Sequence, residues 1–217
     1  MKRPLLITLI ILAVLLLIPA VSFIRWAFKE KKPIDIVILD KTVPTLERLG
    51  HRSFTYILTN DRFVRKEKGG SFSAARDYYG FVPQRPVREK QFRKKDFRLT
   101  ELIDLADNND ALYYADTYGV FFNDWYQGIK KTRRSRKLYG GLNNNDYLLM
   151  SEMTKRDKLV IVEYNTFDYP TAGLEKFKSE ELLGIASKGW MGQHYRSLDT
   201  VSAQGVPGWM PALYRKQ

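Results

Sequence analysis

Between Pro4 and Ile24 the chain reads PLLITLIILAVLLLIPAVSFI, about twenty residues without a charge. At 1.5 Å per residue such a helix crosses a hydrocarbon core of roughly 30 Å, so the pattern predicts one membrane-spanning helix within residues 1–28. Pro19 is compatible with this, because proline is tolerated in transmembrane helices. Trp26 and the cations Lys29, Lys31 and Lys32 supply an interfacial end. A cleaved signal peptide is the competing reading, with Lys2 and Arg3 as its n-region and Ala20-Val21-Ser22 as its cleavage site. The length of the apolar run favours a retained anchor. Basic residues flank both ends, which leaves the side of the membrane open.

A polar connector over residues 29–33 leads into a domain over 34–217. Three β-branched or aromatic runs predict buried strands: Ile34 to Leu39, Ala111 to Ala115, and Lys158 to Tyr164. Between them, Phe54, Ile57 and Leu58 mark one helix, and Leu99, Leu102, Ile103 and Ala106 mark a second with Thr100 as its N-cap. A third carries Leu149, Met150 and Met153 behind the capping cluster Asn143-Asn144-Asn145-Asp146, and a fourth runs from Leu174 to Leu183. Alternating strands and helices predict an α/β fold, a three-layer sandwich with a mostly parallel, flavodoxin-like sheet. Arg62 to Arg98, broken by Gly69-Gly70, Pro83 and Pro86, reads as a long loop. Three strands are few for such a sheet, so further sequence is expected beyond Gln217.

Charge and composition narrow the chemistry. With 36 basic and 24 acidic residues the chain carries a net charge of +12. Twelve lysines and arginines against four acids fall in Arg62–Arg98, and a second basic run spans Lys130–Lys137. In a membrane-tethered chain these stretches fit an anionic lipid surface or a protein partner. Interleaved rings such as Phe63, Phe72, Tyr78, Tyr79, Phe81, Phe92 and Phe97 would also suit nucleic acid, a reading set aside because charge runs are usually solvated faces. The chain has no cysteine and two histidines, His51 and His194, so thiolate chemistry and a histidine-rich metal site are excluded. No cofactor motif is present: neither G-x-G-x-x-G nor a P-loop occurs, and no serine stands in a G-x-S-x-G elbow.

Ligands of open parallel sheets sit beyond the carboxyl ends of the strands. The candidates there are Asp40 and Thr42 after the first strand, Asp116, Thr117 and Tyr118 after the second, and Asn165 and Thr166 after the third. His194, in the aromatic tail Gly189-Trp190-Met191-Gly192-Gln193-His194-Tyr195, completes the set as a pocket wall. A turn would also select such polar residues for its own backbone.

The segments LDKTVP (Leu39 to Pro44), ADTYGV (Ala115 to Val120), LYGGL (Leu138 to Leu142), VEYNTF (Val162 to Phe167) and GWMGQHY (Gly189 to Tyr195) resemble an uncharacterised family of membrane-anchored bacterial proteins of the Bacteroidetes type. The strand–GG–helix–strand portion is similar to class I glutamine amidotransferase-like domains, noncatalytic relatives included. Active members of that superfamily use a cysteine nucleophile with a histidine and a carboxylate. Without a cysteine, the resemblance implies a catalytically silent ligand- or partner-binding domain. The alternatives are a hydrolase using Asp40 or Asp116 with His194, and a structural component of an envelope complex.

Overall fold

In the computed structural model, residues 2–67, 69–128 and 135–186 are described, with backbone alone at residues 2–6, 9 and 10. The three strands read from the sequence lie side by side in one sheet: β2 (Ile36–Asp40) and β6 (Ala111–Asp116) are buried within it, whereas β9 (Leu159–Val162) forms an edge on which Leu159 is exposed, not the buried strand its β-branched run predicts. Two more strands lie in the stretch read as a loop. β4 (Tyr79–Pro83) runs parallel to β2, and β5 (Phe92–Lys95) closes the edge antiparallel to β4. The order is β5-β4-β2-β6-β9, a mixed α/β fold with a mostly parallel sheet.

The loop reading of Arg62–Arg98 failed because Gly80, Pro83 and three consecutive cations conceal two strands. Gly80 has φ +126°, and a Cβ there would stand 1.8 Å from the Asp40 carbonyl oxygen. Only glycine allows β4 to approach β2 so closely. In β5, Arg93 and Lys94 are exposed, as suits an edge strand that must not pair further.

Strand alternation divides the core. Val37, Leu39, Leu112 and Tyr114 point to one face, where they pack with α3 (Leu102–Asn108) and α4 (Asn144–Lys155) through Leu102, Ala106, Leu149, Met150 and Met153, and α5 (Gly173–Leu183) adds half-buried Leu182 and Leu183. Ile38, Tyr113 and Ala115 point to the other, against Phe54 of α2 (Leu49–Asn60), Phe81 and Trp125. Helices therefore cover both faces. Each fully buried leucine or methionine contributes about 1.5–3 kcal/mol relative to exposure.

The four predicted helices form, with shifted faces: in α3 Leu102 and Ala106 are buried, whereas Leu99 and Ile103 are exposed. The buried stripe of α2 is His51, Thr55 and Leu58, while Ile57 is exposed. Thr100 lies within a 3-10 turn, Leu99–Glu101, whose start is closed instead by the Arg98 N–H donating to Glu101 Oε1 at 2.9 Å. Asn143 does cap α4: its Oδ1 accepts from the Asp146 N–H at 3.0 Å, and its own N–H donates to Asp146 Oδ2 at 2.7 Å.

At the N-terminal side, α1 (Lys2–Ala27) is a 26-residue helix with Pro19 inside it. Among the described residues no helix is long and apolar enough to cross a membrane. The connector after α1 is itself paired: β1 (Lys32–Pro33) runs parallel to β3 (Phe63–Val64). The short antiparallel pair β7 (Val120–Phe121) and β8 (Lys137–Tyr139) completes the strands. Residues 130–134 of the second basic run lie outside the described residues, as do His194 and the whole GWMGQHY tail.

Candidate ligand site at the carboxyl edge of the sheet

Asp40 and Asp116 end the two strands at the centre of the sheet and are direct partners in register. A slip of one residue between Leu39 and Asp40 makes this possible, since Leu39 pairs with Tyr114 and Asp40 with Asp116. The third strand end joins them, as Asn165 Nδ2 donates to Asp116 Oδ2 at 3.2 Å. Thr42 Oγ1 accepts from the Gly119 N–H at 2.7 Å, and Thr117 Oγ1 lies 3.3 Å from the carbonyl oxygens of Asn165 and Thr166. Seven of the eight sequence candidates thus share one edge; His194 lies outside the described residues.

They divide by access. Asp40, Thr117 and Thr166 are fully buried, Thr42, Asp116 and Asn165 are half-buried, and Tyr118 is 40% exposed. The Asp116 carboxylate is fixed from two sides, by Asn165 and by the Tyr118 N–H donating to Oδ1 at 2.7 Å. Tyr118 packs 5.0 Å from Phe121, which stacks on exposed Tyr169 at 6.1 Å. The accessible rim therefore consists of a held carboxylate, an amide, a hydroxyl and tyrosine rings.

Beneath the rim lie two ionisable pairs that the sequence reading missed. His51 Nδ1 is 2.6 Å from Asp40 Oδ2, and His51 Nε2 is 2.8 Å from the Ala74 carbonyl oxygen, with both side chains of the pair fully buried. A carbonyl can only accept, so Nε2 carries a proton and the Asp40–His51 contact shares a single further one. Burial pushes the Asp40 carboxyl above its ordinary value; the His51 hydrogen bond and charge pull it partly back.

On the opposite face, Lys41 Nζ donates to Asp146 Oδ2 at 2.5 Å and to the Gly141 carbonyl at 2.9 Å. Its ammonium also lies 5.3 Å from the Tyr139 ring centroid. Burial raises the Asp146 carboxyl, opposed by Lys41. Adjacent residues Asp40 and Lys41 thus point to opposite faces of the sheet and tie its carboxyl edge to α2 and α4. Asp146 Oδ1 and Thr166 Oγ1 are buried without a hydrogen-bond partner among the described residues.

A signal was present for His51 and Asp146, though none for Lys41. His51 stands at i with Thr55 and Leu58 at i+4 and i+7, an inward stripe, and Asp146 closes the Asn143 capping box. Among the described residues no group of three or more histidine or acidic side chains is arranged for a metal ion. Comparison with protein-family models, curated proteins and solved structures gives no match to the chain.

Proposed function

We propose that the chain is a membrane-anchored, catalytically silent domain of the amidotransferase-like kind, a three-layer, flavodoxin-like sandwich that binds a polar ligand or partner at the carboxyl edge of its sheet. One observation carries this reading. The parallel strands taken in chain order are β2, β4, β6 and β9, and they lie side by side as β4-β2-β6-β9. Such a 2-1-3-4 arrangement reverses direction between β2 and β6, and doubly wound sheets bind ligands at that reversal. Asp40 and Asp116 end the two strands that flank it.

The buried pairs support silence rather than turnover. Asp40 spends its carboxylate on His51, and Lys41 spends its ammonium on Asp146, so neither is free to activate a nucleophile. Asp116, Asn165, Thr42 and Tyr118 remain to contact a ligand. Anchoring is supported by α1, on which Val21, Ile24, Leu15 and Phe23 are 46%, 52%, 61% and 65% exposed. A hydrocarbon environment would cover that surface.

The test is native mass spectrometry of the full chain extracted from membranes in mild detergent. Wild-type protein is expected to carry a copurified small molecule or partner that Asp116→Ala/Asn165→Ala loses. Equal retention by the double variant would place binding elsewhere. Release of a chemically altered product would replace silence with the hydrolase alternative.

A further inference from the structure

The amino edge of the sheet holds a second polar site. β4 starts level with Leu39, since Tyr79 pairs with Leu39 and Gly80 with Asp40. The first half of β2 therefore has no strand beside it on that flank. A cavity of about 290 Å³ occupies the gap, walled by Ile36, Phe72 and Tyr79 and lined by Arg65, Arg76 and Lys95. A smaller cavity of about 140 Å³ shares Asp35, Arg65 and Asn109 with it. Asp35 precedes β2, Asn109 precedes β6 and Arg65 follows β3, so the space lies at the amino edge.

The acids lining the cavity are already engaged. Asp77 pairs with Arg65 at 2.8 Å and accepts from the Ser73 N–H at 2.8 Å, and Asp35 Oδ1 accepts from the Lys66 N–H at 3.3 Å. Of the cations lining the cavity, exposed Arg76 and half-buried Lys95 make no direct ion pair with a carboxylate among the described residues. Lys95 Nζ donates to the Tyr78 carbonyl at 3.1 Å and lies 4.2 Å from the Tyr79 ring centroid. Burial holds it below the ordinary lysine value. Asp77 and Glu101 offset that only in part and neither pairs with the ammonium directly, so an anion in the cavity would offset the remaining cost.

The amino edge is also where α1 meets the domain. Trp26 Nε1 donates to the Asn60 carbonyl at 2.9 Å, at the far end of α2, and the Arg62 guanidinium lies 4.8 Å from the Trp26 ring centroid. Arg62 further donates to the Ala27 and Lys29 carbonyls at 3.3 and 3.4 Å, satisfying carbonyls at the end of the helix. Lys29 pairs with Asp61 at 2.5 Å. These contacts, with β1 on β3, join the end of α1 to the segment that follows α2. A bilayer around α1, as proposed above, would lie at the amino edge, the edge that holds the cavity.

We propose that this cavity binds the anionic phosphate headgroup of a membrane lipid, held by Arg76 and Lys95 with Arg65 behind them. The assignment rests on α1 being a membrane anchor. A surface charge alone would attract the anionic leaflet without selecting a lipid, whereas a walled cavity with two unpaired cations gives one headgroup a defined place.

The experiment titrates the full chain in detergent micelles with phosphatidylglycerol, phosphatidylcholine or inorganic phosphate and counts adducts by native mass spectrometry. One phosphatidylglycerol is expected to bind in preference to phosphatidylcholine. Arg76→Gln and Lys95→Gln should each weaken it roughly fivefold, while Lys95→Arg retains it. Matching thermal melts show that the variants are folded. Equal binding of the two lipids, or phosphatidylglycerol binding unchanged in the double glutamine variant, overturns the site. Phosphate binding lost with the same substitutions but without lipid preference assigns the cavity to a free anion and overturns the lipid reading. Alkaline carbonate extraction of cell membranes separately tests the anchor: protein found in the supernatant refutes α1 as a span, whatever the titration shows.

Discussion

Asp40 and Asp116 are register partners at the ends of β2 and β6, yet their carboxylates have different tasks. Asp40 is buried against His51 at 2.6 Å, whereas half-buried Asp116 is held by Asn165 at 3.2 Å and by the Tyr118 N–H at 2.7 Å. Substitution should separate them. Asp40→Ala leaves a buried imidazole donor without an acceptor and is expected to destabilise the domain by about 2–5 kcal/mol. Asp116→Ala should cost about 1 kcal/mol and abolish ligand retention. Urea denaturation followed by tyrosine and tryptophan fluorescence measures both, and equal losses would show that the two carboxylates are equivalent supports.

The Lys41–Asp146 pair makes a sharper test of the buried network. Asp146→Leu strands an ammonium in the interior and is expected to cost about 3–5 kcal/mol. Lys41→Met/Asp146→Leu removes both charges and should recover most of that loss, because a buried pair is worth little against apolar packing of similar volume. A double variant as unstable as the single one would mean that Lys41 acts through its Gly141 contact instead.

Gly80 and Gly173 form a matched pair. Gly80→Ala must place a Cβ 1.8 Å from the Asp40 carbonyl oxygen at φ +126°, and is expected to cost about 3 kcal/mol or more by pushing β4 off β2. At Gly173, in the first turn of α5, nothing lies within 4 Å of an added Cβ. Gly173→Ala should raise stability by up to about 1 kcal/mol. Thermal melts of the two variants should therefore shift in opposite directions.

Stability should fall in acid partly through Glu152. Hydrogen bonds from Lys155 and Arg156 hold its carboxyl below the ordinary value of 4.5. A depressed carboxylate stabilises the fold above that value, and the contribution is lost as pH falls through the folded-state value. Burial raises Asp40 and Asp146 from 3.8, which has the opposite sign: their contribution is greatest when protonated and declines as pH rises. Glu152→Gln should therefore lower the urea midpoint at pH 7 and leave it near wild type at pH 3. A midpoint gap that persists at pH 3 would assign the effect to packing.

Local sequence determined the elements whose apolar content is one-sided or continuous. Val37 to Leu39, Leu112 to Ala115 and the Leu149, Met150, Met153 stripe must be buried wherever they fall, so β2, β6 and α4 were legible, as was the β-branched run of edge strand β9, and with them Asp40, Asp116 and Asn165 as residues at or just past strand ends. β4 and β5 were not legible, because Gly80 and the Arg93-Lys94-Lys95 run carry no strand propensity of their own. They are strands because the exposed flank of β2 offers unpaired backbone, and pairing satisfies it. The buried pairs also needed the fold: Asp146 lies 105 residues beyond Lys41, and nothing local to either names the other. A charge enters an interior only where chain topology delivers its partner, and that delivery is a property of the tertiary structure alone.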